Sequence, residues 1–160
     1  MRTDLVWLCK DGIRIEYIGR LRRAAALQAM VVAGRSQAEI AAELGISQPA
    51  VSQQLSSGRK ALQQASPGDA FEAARPVLRA IAEERGFTDL AVFGSVARGE
   101  ATDTSDVDLL VTPPQGASLF DLVRLQEEFA QVVGCKVDLV SRNGLQSGRD
   151  KDILRDEVLV

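Results

Sequence analysis

Three aspartates and a glycine–serine pair have the types and spacing to do chemistry. Asp106 and Asp108 sit in the run Asp106-Val-Asp-Leu-Leu-Val111. In an extended strand, residues i and i+2 share a face. The two carboxylates therefore stand side by side, while Val107, Leu109 and Val111 turn toward a core. Carboxylates so close do not ionise comfortably without a cation. Hard oxygen ligands suit Mg²⁺, which takes one or two carboxylates and completes its shell with water and substrate phosphate. In Lys136-Val-Asp-Leu-Val140 the same alternation puts Val137 and Leu139 inward and Asp138 outward. If the two strands pair, three carboxylates converge.

The upstream partner of this pattern is Leu90-Ala-Val-Phe93 followed by Gly94-Ser-Val-Ala-Arg-Gly99. The first run suits a buried strand; the second suits a tight turn and a short helix. Gly94 permits a backbone turn that a residue with Cβ resists. Ser95 places a hydroxyl and free N–H groups at the start of a helical turn, where anionic phosphates are favoured. The plainer alternative for Ser95 is a helix N-cap alone. Arg98 is open between a phosphate contact and a surface ion pair.

Taken together, Gly-Ser, a spacer, Asp-x-Asp and a later strand aspartate resemble the nucleotidyltransferase superfamily that includes DNA polymerase β. The short form, Gly94 to Gly99 with Ser105-Asp-Val-Asp108, is most similar to the minimal nucleotidyltransferases. These are small proteins often found as the antitoxin beside a HEPN-type RNase toxin. The resemblance covers roughly residues 70 to 158. It implies Asp106, Asp108 and Asp138 as catalytic metal ligands, and Gly94, Ser95 and Arg98 as nucleotide-binding residues. It further implies Mg²⁺ as cofactor, ATP as donor and a tyrosine hydroxyl of a cognate HEPN toxin as acceptor. Two other readings stand beside it. One is a non-catalytic repressor that binds its toxin; the other is a toxin that nucleotidylates tRNA.

The front of the chain carries a second pattern. Ser36-Gln-Ala-Glu39 is a capping box. Ile40, Ala41 and Leu44 form an inward helical face, Gly45 makes a break, and Ser47 caps a further helix whose first turn holds Pro49. Val51 and Leu55 are its core positions, before Gly58. Gln37-x-x-Ile-Ala41-x-x-Leu-Gly45-x-Ser-x-x-x-Val51 resembles a bacterial helix-turn-helix. Its second helix would offer Gln48, Ser52 and Gln53 to a major groove, with Arg59 and Lys60 on phosphates. Operator DNA is the partner this implies. A helix-turn-helix ahead of a nucleotidyltransferase fits an antitoxin that represses its own operon.

Charge divides the chain the same way. Residues 1–64 carry nine Lys/Arg against five Asp/Glu, net +4, and residues 65–160 are net −7. Two modules with different partners follow. The spacing predicts a hairpin over 4–18, around Asp11-Gly12, then a helix from about Gly19 whose apolar face ends at Val31. A linker is expected over 63–69, then a helix up to Gly86, one capped by Ser118, and a last helix holding Ile153, Leu154 and Val158. The expected fold is α/β (α+β). A helical helix-turn-helix domain spans 1–65, including the hairpin-like segment, and a small mixed-sheet nucleotidyltransferase domain spans 66–160. Apolar residues at 46% suffice for a core. The absence of histidine removes histidine acid–base chemistry. Cys9 and Cys135 lack paired-ligand spacing, and no apolar run reaches the roughly 18 residues of a membrane span. A cytoplasmic protein with no membrane partner is expected. Assembly as a homodimer or with the toxin is open.

Overall fold

The computed structural model describes residues 2–146, 148 and 150–160. Its first element is one continuous helix, α1 (Arg2–Val32), which replaces the hairpin expected over 4–18. Asp11-Gly12 between apolar runs mimics a two-residue turn. Yet Gly12 and Gly19 both lie inside the helix, with nothing within 4 Å of where a Cβ would stand. Each helical glycine costs about 1 kcal/mol against alanine. A helix nucleated and packed further along extends through them. Arg14 ties the extension to α4 (Pro67–Glu84), bonding Asp69 at 2.6 Å and Glu72 at 2.5 Å. Most side chains over 4–16, Leu5, Trp7 and Ile13 among them, remain exposed.

α2 (Gln37–Leu44) and α3 (Gln48–Gln64) form the helix-turn-helix. Ser36 and Glu39 make the reciprocal capping box, and Gly45 adopts a left-handed φ of 66°. Ser47 caps α3 by accepting from the Ala50 amide. Ile40, Ala41, Val51 and Leu55 close a small core against Leu27 of α1. Leu44, expected inward, is 46% exposed. α3 also runs on through Gly58. A Cβ there would stand 2.8 Å from that of Ala24, so the glycine marks the close crossing of α1 and α3.

The expected linker shrinks to Ala65 and Ser66, because Gln63 and Gln64 end α3 and Pro67 opens α4. Packing is continuous across this point. Ile18, Leu21, Ala24, Ala25 and Leu62 share one core with α4 and the sheet. α1 therefore serves both the helix-turn-helix and the C-terminal half.

The remaining elements are β1 (Thr88–Phe93), α5 (Gly94–Ala97), β2 (Val107–Thr112), α6 (Leu119–Val133), β3 (Val137–Ser141), α7 (Lys151–Asp156) and β4 (Val158–Leu159). The sheet order is β3-β2-β1-β4. β2 and β3 are parallel, joined by the α6 crossover, while β1 is antiparallel to β2 and β4. The chain is thus a mixed α+β protein. Val158, expected in the last helix, opens β4 opposite Val92. Arg142 helps stop that helix by bonding Glu157 at 2.5 Å and the Asp89 carbonyl at 3.0 Å. Among the described residues, no helix is long and apolar enough to cross a membrane.

Candidate active site

Short strands set the geometry: β2 is buried on both faces from Leu109 to Val111, and its Asp108 phase opens only at the Asp108 end. Val107, Leu109, Val111, Val137 and Leu139 are buried, which leaves the aspartates on the other phase. The parallel register places Val107 opposite Val137 and Asp108 opposite Asp138. Asp106 precedes β2 directly, and the Val107 amide bonds the Lys136 carbonyl at 3.0 Å. The three sequence-predicted carboxylates therefore meet at one end of the β2–β3 pair.

Gly94 closes the site from β1. Its φ is 70°, and a Cβ would stand 2.5 Å from Oδ2 of Asp108. Both the turn and the space require glycine. Ser95 is half-buried in α5. That helix has Phe93 at its N-cap and no side-chain cap, so Ser95 does not act as one. Arg98 is exposed and bonds Glu100 at 2.8 Å and Asp156 at 3.1 Å. Of its two readings, this structure displays the ion pair.

The electrostatics are those of crowded carboxylates. Burial, then the charges of Asp138 and Asp106, push the Asp108 carboxyl above its usual range. Lys136, which sequence reasoning passed over, answers this charge. Its ammonium bonds Asp106 at 2.5 Å and Asp138 at 3.1 Å, and these partners raise its own pKa. The available signal was its position two residues before Asp138, on the same strand phase. An all-carboxylate donor set, with one member kept from easy ionisation by the others, fits a hard divalent cation. Among the described residues no three ligating side chains are yet gathered into a cage. Asp106 and Asp138 engage Lys136 instead.

Gln48, Ser52, Gln53, Arg59 and Lys60 are all exposed on α3. Arg59 and Lys60 edge a groove of about 540 Å³ that also includes Arg35 and Ser52. Arg35 pairs with Glu43. Arg22 of α1 donates to the Ala73 carbonyl at 3.2 Å. A second groove, about 510 Å³, runs from Arg59 and Gln63 to Gln131 and Lys136. α3 packs closely on the end of α6, where the Leu62 Cβ lies 2.7 Å from where a Cβ on Gly134 would stand.

This fold and site define a nucleotidyltransferase. The nucleotidyltransferase domain model matches residues 75–160, and the chain belongs to that family. Residues 21–62 match the model of sigma-70 region 4. The protein adenylyltransferase MntA of Thermococcus cleftensis is 42% identical over 78 residues, covering 49% of this chain and 79% of that one. A Methanocaldococcus jannaschii relative is 40% identical over 76 residues, covering 48% and 76%. A solved structure described as a minimal nucleotidyltransferase superposes with a TM-score of 0.54 at 35% identity, covering 58% of this chain and 95% of that one.

Proposed function

We propose that this chain transfers AMP from ATP to a hydroxyl on a cognate HEPN-type RNase toxin, and represses its own operon through the helix-turn-helix. The observation that carries the first half is the register of Asp108 against Asp138, with Asp106 beside them. Asp106, Asp108 and Asp138 would hold Mg²⁺. When bound, the ion would neutralise triphosphate charge and stabilise the transition state. Gly94 leaves room for Asp108, and Ser95 offers its hydroxyl to the nucleotide phosphates, with Arg98 within the same turn. Asp138, the more exposed of the Lys136-bound pair, takes the proton of the acceptor hydroxyl. The deprotonated hydroxyl oxygen of the acceptor bonds to the α-phosphorus as the bond from that phosphorus to the α,β-bridging oxygen breaks, and pyrophosphate leaves. Gln48, Ser52 and Gln53 would read operator bases, while Arg59 and Lys60 meet phosphates.

Intact mass spectrometry of the HEPN-type protein encoded beside this chain tests the reading. Incubation with ATP and Mg²⁺ should add adenylyl groups, and Asp106→Ala or Asp108→Ala should abolish the addition with folding intact. Transfer retained in those variants refutes the site. Loss of operator binding in Gln53→Ala and Arg59→Ala, by gel shift, tests the second half.

A further inference from the structure

Lys136 links the carboxylate site to the groove beneath α3. Its Nζ bonds the Oδ2 atoms of Asp106, just before β2, and Asp138, within β3. Its side chain is otherwise 65% exposed. Its backbone is fixed, since its carbonyl accepts from the Val107 amide at 3.0 Å. The ammonium thus occupies the place between two carboxylates that a divalent cation would have to draw together.

We propose that Lys136 is a built-in cation, holding these carboxylates in the metal-free protein and competing with the divalent ion for them. The free divalent-ion concentration then sets when the site becomes competent. The proposal rests on the reading of Asp106, Asp108 and Asp138 as metal ligands.

Charge and space both support the exchange. Three carboxylates and one ammonium leave two net negative charges, whereas a divalent ion in place of the ammonium leaves one. The ammonium engages the Oδ2 atom of each carboxylate and repels a second cation set beside it, so the ion binds more weakly while Lys136 stays and drives it outward on binding. The groove of about 510 Å³ gives it somewhere to go, past Gln131 and Gln63. No carboxylate lines that groove, and Arg59 does. The departing ammonium therefore exchanges two acidic partners for a neighbourhood of like charge, which makes the competition real.

The test is titration of Mn²⁺, without nucleotide, into wild type, Lys136→Met and Lys136→Arg, followed by calorimetry. Melting of each protein in EDTA and in Mn²⁺ accompanies it. Two partly exposed ion pairs are lost, so Lys136→Met should bind Mn²⁺ about three- to tenfold more tightly. Its metal-free form should melt lower and gain more from Mn²⁺ than wild type does. Lys136→Arg should stay near wild type. Lys136→Gln keeps a polar tip and serves if the methionine variant does not fold. Equal or weaker Mn²⁺ affinity in the neutral variants overturns the proposal, as does an absence of binding in every protein. Adenylyl transfer by wild type, combined with an Mn²⁺ affinity indifferent to Lys136, overturns it while leaving the proposed function standing.

Discussion

Gly94 and Asp108 meet across the β1–β2 pair so closely that only a hydrogen fits between them: a Cβ on Gly94 would lie 2.5 Å from a carboxylate oxygen. Gly94→Ala should therefore act twice. The left-handed φ of 70° costs alanine roughly 1–2 kcal/mol, and the methyl displaces Asp108. Nucleotidyl transfer should fall at least about tenfold. Gly99 shares the φ of 70° but has nothing within 4 Å. Gly99→Ala should show the melting-point loss with a much smaller loss of transfer. Equal activity losses in the two variants would place the effect in the backbone and not in Asp108.

The crowding at Asp108 predicts an opposition between stability and activity. Its carboxyl is raised by burial and by Asp138 and Asp106, so its ionised form destabilises the metal-free protein near neutral pH. Asp108→Asn should raise the metal-free melting temperature by a few degrees and abolish transfer. A lower melting temperature than wild type would sink this account of the site.

Gly134 predicts how firmly the two halves are joined. Its φ is 84°, and a Cβ would meet the Leu62 Cβ at 2.7 Å and the Leu62 carbonyl carbon at 3.1 Å. Gly134→Ala should cost about 3 kcal/mol, summing overpacking and left-handed strain. Gly116, with φ of 85° and open space around it, isolates the strain alone. Gly116→Ala should cost only about 1–2 kcal/mol. Urea denaturation of both variants gives the difference.

The capping box of α2 makes a pH prediction. The Ser36 amide, then its hydroxyl, hold Glu39 below its ordinary value of 4.5. A depressed carboxyl contributes stability that is complete above the unfolded value and is lost as pH falls through the folded one. Ser36→Ala removes the serine hydroxyl from this exchange. Its melting deficit should be full at about pH 7 and shrink toward about pH 3. A deficit unchanged over that range would show that Glu39 carries none of it.

The site was legible because its signals are local. Aspartates at alternate positions of short Val/Leu strands declare their face, and Gly94 declares its turn. The helix-turn-helix was legible for the same reason, through Ser36, Glu39, Gly45 and Ser47. α1 was not, because Asp11-Gly12 is a strong local turn signal that loses to packing further along the helix. β4 is two residues long, too short for any period. It is held by Val160, whose amide bonds the Leu90 carbonyl at 2.9 Å, and by Arg75, which bonds the Leu159 carbonyl at 2.6 Å. Lys136 looks like any surface lysine until the β2–β3 register sets Asp106 and Asp138 within its reach.

The exposed front of α1 has a spectroscopic consequence. It carries the only tryptophan of the chain, Trp7, 62% exposed and remote in sequence from every core residue of the sheet. Its emission should already be red-shifted in the native protein and change little as the core melts. A blue shift should appear only when another surface covers that end of the helix. Intrinsic fluorescence is thus a poor reporter of unfolding for this protein and a selective reporter of contact at its first helical turns.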